Sequence, residues 1–261
     1  LWNEDHGSPT IIPVARPYMI WLELMPERQT GLLASGSFYA SESVTLGYQV
    51  GLSNGRNPIA DYGDMDENKA VTLRLQLHHH GEGALDLGAF GYGGRYTNLE
   101  ENIVTTDTRV LLDEHIREQY DEVTWGFDAR YVLGGLHLQS ELIVHERAYT
   151  DRGRPLRIGT QYQPDDRRFG GYVLGGYRFD WLGLMPYATV DYFSYLNSDE
   201  LTRPPTRDVI TDYSIGLNSR PTTNVTLKLE GKIGVFFVDN AKGSAFENPL
   251  PAVEAQIAWA F

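Results

Sequence analysis

Period-two alternation constrains this chain more than any other feature. In residues 225–235, VTLKLEGKIGV, one phase carries Val225, Leu227, Leu229, Gly231, Ile233 and Val235, and the other carries Thr226, Lys228, Glu230, Lys232 and Gly234. Residues 123–133 split the same way, into Val123, Trp125, Phe127, Ala129, Tyr131 and Leu133 against Thr124, Gly126, Asp128, Arg130 and Val132. The pattern recurs in SVTLGYQVGLS (43–53), AVTLRLQLH (70–78) and GLHLQSELIVHER (135–147). Successive side chains of a strand point to opposite faces, so each segment has one apolar and one polar face. None of these apolar faces carries a charge, although 22% of the chain is charged. Helical periodicity is nearly absent, and the predicted fold class is all-β.

Twelve segments follow the rule, at 16–24, 30–40, 43–53, 69–78, 83–96, 121–133, 135–147, 168–179, 185–195, 210–219, 223–236 and 251–261. Most approach the ~9–11 residues with which a tilted strand crosses a bilayer. Alternation alone fits a soluble sandwich or a lipocalin-like barrel equally well. The connections separate these cases. Short ones (40–43, 79–83, 134–135, 180–183 and 220–223) take turns with long polar ones (54–68, 97–120, 148–167, 196–209 and 237–250) from the second strand onward. Loops sorted by parity are the mark of an outer-membrane barrel, with short periplasmic turns and long outer loops.

The polar faces agree. They would bring Arg74, Asp86, Asp128, Arg130, His137, Glu141, Arg178, Asp191, Asp212, Lys228, Glu230, Lys232 and Glu254 into one interior. Each desolvated ion costs several kcal/mol unless it is well paired, so a dry core excludes such a set and a wet lumen accepts it. Backbone groups inside lipid must all be paired, which requires a closed sheet. The expectation is one antiparallel transmembrane β-barrel domain over 1–261 with about 12 strands, the last closing on the first and both termini periplasmic. Tyr18, Trp21, Tyr39, Tyr131, Trp181, Tyr213 and Trp259 fall near strand ends, where interfacial aromatic girdles sit.

Composition narrows the partners. A formal charge of -13 argues against nucleic acid, whose phosphates call for a Lys/Arg surplus. No run of 18 uncharged apolar residues is present, so no helix is expected to span a membrane. The absence of cysteine leaves the compartment open.

The chain ends AVEAQIAWAF, with Val253, Ile257, Trp259 and the terminal Phe261 in one phase. This resembles the C-terminal signature of bacterial outer-membrane proteins, which implies recognition by the barrel-insertion machinery. LWNEDHGSPTIIPVARPYMI, PERQTGL, GLSNGRNP and DMDENKAVTLRL resemble a family of Gram-negative porin-like proteins, distantly similar to phosphate-selective porins O and P. The resemblance covers residues 1–100 and fades to strand pattern beyond. It implies an outer-membrane channel, and it implies strands preceding the equivalent of Leu1 in relatives, hence 14–16 strands in the complete barrel. The inner charges here are balanced rather than lysine-rich, a departure from the phosphate-selective members.

Candidate site residues follow from the inner phase. Arg74, Arg130, Lys228 and Lys232 form a basic ladder facing Asp128, Glu141, Glu230 and Glu254, which with His137 would line a pore and set a transverse field. The plain alternative is a network of ion pairs that fills a narrow barrel, since eight strands fill with side chains and sixteen leave a channel. Asp61, Asp64 and Asp66 crowd one outer loop and offer hard oxygen ligands to Ca²⁺, although acidic loops are usually just solvated. No other cofactor is indicated. His78, His79 and His80 alternate in direction at a strand end and read as a surface turn, not a metal site. The 97–122 segment reads as a mobile external loop, or as one that folds inward as a constriction or contains a short helix.

Three functions compete. The first is a porin for small hydrophilic solutes, with weak cation preference because acidic outer loops enrich cations at the mouth. The second is a structural barrel that anchors or sheathes an envelope complex, its lumen closed or occupied by a partner. A homo-oligomer suits either. The third, an enzyme, is not expected. His137, Glu141 and His145 share one face but span about 13 Å, and Ser140 falls on the other phase.

Overall fold

The computed structural model describes residues 11–15, 17, 24–26, 29–56, 67–106, 109–158, 161–195, 208–239 and 245–259. The strands are β1 (Gly31–Ser41), β2 (Val44–Ser53), β3 (Ala70–His80), β4 (Ala84–Thr106), β5 (Arg109–Leu133), β6 (Leu136–Tyr149), β7 (Leu156–Ile158), β8 (Gln161–Tyr162), β9 (Asp166–Tyr177), β10 (Met185–Tyr195), β11 (Asp208–Thr222), β12 (Val225–Asp239) and β13 (Ala245–Trp259). Eleven of them form one antiparallel sheet in chain order, and β7 and β8 pair as a separate small hairpin between β6 and β9. Among the described residues no helix is long and apolar enough to cross a membrane.

Eleven of the twelve segments expected from alternation are strands of this sheet. The exception is 16–24. Its described residues, Pro17 and Leu24, are not in a strand. Pro13, Pro17 and Pro26 punctuate this stretch, and proline has no N–H to give to a ladder. The remaining residues of that segment lie outside the described ones. The expected closure of the last strand on the first is likewise not formed: β1 and β13 are the two edges of the sheet among the described residues. Phe261 lies outside the described residues, as do Tyr18 and Trp21.

A second correction concerns 97–120. Instead of a loop, it is a two-stranded ribbon in which β4 and β5 continue in register to Thr106 and Arg109, with one irregularity after Asn98. Its sequence mixes apolar and polar residues in both phases (Leu99, Ile103 and Leu111 in one, Val104, Val110, Leu112 and Ile116 in the other), so alternation gave no signal, while the hairpin satisfies its backbone groups locally. The 148–167 connection carries the β7–β8 hairpin, and β3 runs through all three histidines to His80.

The packing is the reverse of a water-soluble core. Along β5, Glu122, Thr124, Gly126 and Asp128 are buried while Val123, Trp125 and Phe127 are exposed. On β10, Tyr187, Thr189, Asp191 and Phe193 are buried and Val190 is exposed; on β12, Thr226, Lys228 and Glu230 are buried and Leu227, Leu229 and Ile233 exposed. The sheet therefore wraps its polar phase inward. We call this the inner face.

Inner-face glycines let long side chains lie across a neighbouring strand. Gly216 stands in register between Tyr187 and Glu230, and the Tyr187 hydroxyl donates over it to Glu230 Oε2 at 2.6 Å. A Cβ on Gly216 would strike the Tyr187 ring and come within 2.8 Å of Leu229 O. Gly216→Ala should therefore destabilise by about 1–3 kcal/mol. Gly231→Ala, whose Cβ would meet nothing within 4 Å, should be neutral or slightly stabilising. Urea unfolding followed by tryptophan fluorescence compares the two, and equal costs would mean that Tyr187 does not lie over Gly216.

Candidate functional site

The inner face carries the site. Strand parity puts Arg74, Asp128, Arg130, His137, Glu141, Lys228, Glu230, Lys232 and Glu254 on it, as the alternation predicts, and none of them falls on the exposed apolar face. Their mutual arrangement differs from the expected facing ladders. Arg74 on β3, half-buried, reaches across β4 to the buried Asp128 on β5 at 3.1 Å, and the Asp128 carboxylate lies over Gly88, its register partner. Arg130 pairs with Asp86 at 2.8 Å, and His78 holds the other oxygen of the same carboxylate at 2.7 Å. Lys232 pairs with Glu254 on the adjacent strand. Acids and bases therefore neutralise one another along the same wall. The reason is register: antiparallel pairing sets inner-face residues of strands one or two apart within side-chain reach.

Part of the interior is occupied by the chain itself. Residues 11–15 and 24–26 lie against the inner face. The Val14 N–H donates to Glu230 Oε2 at 3.0 Å, Lys228 Nζ donates to Pro13 O at 3.0 Å, and Asn218 Nδ2 donates to Ile12 O at 2.9 Å. On β5, the Thr124 hydroxyl donates to Leu24 O at 3.1 Å. Leu24 packs in a buried cluster with Ile143, Tyr172, Leu174 and Phe193, joined at its margin by Ile11, Ile12 and Met25. Backbone carbonyls of an irregular, proline-rich segment have no ladder partner, and the inner-face donors supply one.

One buried residue, Arg56, was missed by the alternation. Arg56 donates through Nε to both oxygens of Glu122, at 3.1 and 2.9 Å, and the Tyr92 hydroxyl donates to the same carboxylate at 2.9 Å. Glu122 and Tyr92 were legible as inner-phase residues of their strands, but Arg56 sits in a connection with no periodic signal. Beside them, Arg147 Nε donates to His145 Nε2 at 3.0 Å. That nitrogen is then the acceptor, so Nδ1–H faces the Thr124 hydroxyl at 2.7 Å and the histidine is a neutral link in a buried chain ending at Leu24 O.

Ser140 stands in register with Ala129 and Val173 on the exposed phase, away from His137 and His145. No group of three or more His, Cys, Asp or Glu suited to a metal occurs among the described residues. Asp61, Asp64 and Asp66 lie outside them.

A cavity of about 370 Å³ opens at the end of the inner face nearest the short turns. Arg130, His137, Arg178 and Arg220 line it, with Asp86 and the apolar Ile11, Ile12, Val132 and Leu174. A much smaller void, room for about one water, lies between Pro13 and the acids Asp191, Asp212 and Glu230. Of the inner-face arginines, Arg130, Arg178 and Arg220 line the cavity at the short-turn end.

Comparison with family models, with curated proteins and with solved structures returns no match.

Proposed function

We propose that the sheet belongs to a closed transmembrane β-barrel of a Gram-negative outer membrane, with its short turns and both termini on the periplasmic side. In this reading it is a porin for passive diffusion of small hydrophilic solutes, with weak cation preference. One observation carries the reading: apolar side chains are exposed and charged ones buried, in alternation, on strand after strand. A contiguous apolar exterior of this extent marks contact with a membrane or a partner rather than with water. The main strands are long enough to cross, and an even polar/apolar alternation is what separate lipid and lumen environments require. Exposed Tyr39, Tyr177, Phe179, Trp181 and Trp259 gather towards the short-turn end, as an interfacial girdle would. The likeness to porin-like proteins read from the N-terminal motifs is part of the proposal.

A specific observation favours a second reading, a structural barrel with an occupied lumen. Residues 11–15 and 24–26 fill part of the inner face and are held there by Glu230, Lys228, Asn218 and Thr124. Such a barrel would anchor or sheath a larger envelope complex.

Conductance across a planar bilayer separates the two. The porin reading expects stepwise, ohmic openings from the folded, inserted protein, and a reversal potential in a salt gradient on the cation-selective side. Silence would remove it. The occupied-lumen reading expects silence from the natural chain and openings from Lys228→Met/Glu230→Gln, which releases Pro13 and Val14.

A further inference from the structure

Residues 11–15 belong to no strand, and side chains of the inner wall bind their backbone instead. Asn218 on β11 donates to Ile12 O at 2.9 Å, and Lys228 on β12 donates to Pro13 O at 3.0 Å. Glu230 on the same strand accepts the Val14 N–H at 3.0 Å, and the Tyr187 hydroxyl of β10 fixes that carboxylate oxygen at 2.6 Å. All four wall residues are buried. Three successive residues are thus recognised through main-chain atoms. Pro13, buried between the other two, brings no N–H that would need a partner. Main-chain hydrogen bonds of this kind hold extended peptides in general.

The seat holds its occupant loosely. The 370 Å³ cavity borders Ile11, Ile12 and Pro13, and the small void borders Pro13, Ala15 and Pro17. A void along a segment forfeits packing contacts there. Thr189 and Asp212 line the small void, and Thr189 Oγ1, Asp212 Oδ1 and Asn218 Oδ1 have no hydrogen-bond partner among the described residues. These buried atoms gain hydration when the segment leaves, which offsets part of the hydrogen bonding lost. Segments with few bonds and poor packing open locally while the sheet around them stays folded. We propose, on the occupied-lumen reading, that Tyr187, Asn218, Lys228 and Glu230 form a reversible binding site for an extended, proline-containing peptide, with residues 11–15 as its detachable occupant.

Isothermal titration of the folded full chain with the capped peptide IIPVA, residues 11–15, tests this directly. Val14→Pro in the chain removes the N–H that Glu230 accepts and alters no residue of the wall. The peptide should bind this variant saturably. It should bind the parent at least about tenfold more weakly, because the tethered segment competes at high effective concentration. A peptide with the same Val14→Pro change should bind the variant chain about ten- to a hundredfold more weakly than IIPVA, the loss of one hydrogen bond to a charged group. Adding Lys228→Met to the variant chain should weaken IIPVA by a similar factor. No saturable binding to the Val14→Pro chain overturns the proposal, as do equal affinities for the two peptides or for parent and variant chains.

Hydrogen exchange of the unaltered chain needs no variant. The Val14 amide should exchange at least about a hundredfold faster than those of Leu227 and Leu229, which lie on a strand paired on both sides. Equal rates would mean that the segment leaves only when the whole sheet unfolds, which also overturns the proposal. A parent that conducts while its variant binds IIPVA loses the occupied lumen and keeps the site; a silent parent whose variant binds no peptide does the reverse.

Discussion

Ile215→Arg should destabilise the protein in lipid vesicles by about 2–4 kcal/mol, the cost of a cation on the lipid face near the bilayer midplane. Ile215 is 71% exposed, lies midway along β11 and stands in register with Ala188 and Gly231. Among the described residues nothing packs over it to be disturbed, so the environment alone sets the sign. In water the same change at an exposed strand position falls within about ±0.5 kcal/mol. Reversible denaturant unfolding from vesicles gives the number. A cost near zero would mean that the apolar face meets water or a soluble partner, and the barrel reading would go with it.

Arg56→Met should cost about 3–5 kcal/mol, because it leaves the Glu122 carboxylate buried without its cation. The two side chains are 7% and 0% exposed, and neither the Tyr92 hydroxyl nor the neutral His145, whose Nε2 lies 3.7 Å from Glu122, compensates a desolvated charge. The companion double variant Arg56→Met/Glu122→Met should recover much of the loss, since removing both charges also removes the desolvation penalty. If instead the single variant costs less than about 1 kcal/mol, the pair behaves as a surface ion pair. Water would then reach Glu122, and the interior at this level would be open. The experiment thus reports on occlusion independently of conductance.

Strand positions and faces were legible because alternation is a local property. On β5, whether Asp128 shares a face with Glu122 or with Phe127 depends only on counting residues, and the structure keeps that count through β12 and β13. The long β4–β5 ribbon was not legible, because apolar and polar residues mix in both of its phases and only hairpin register makes them strands. Of the segment expected at 16–24, the described residues Pro17 and Leu24 are not in a strand, and Pro17 has no N–H to give to a ladder.

The candidate site divides along the same line. Sequence alone determined which residues share the inner face, since backbone geometry at each position depends on near neighbours. Tertiary structure decided who meets whom. Arg74 finds Asp128, whose carboxylate lies over Gly88 of the intervening strand, and Tyr187 finds Glu230 over Gly216. Lys228 and Glu230, which alternation could only mark as inner charges, take the backbone of Pro13 and Val14 as partners. Those contacts join residues more than two hundred positions apart, and strand parity carries no information about distance across a curved sheet.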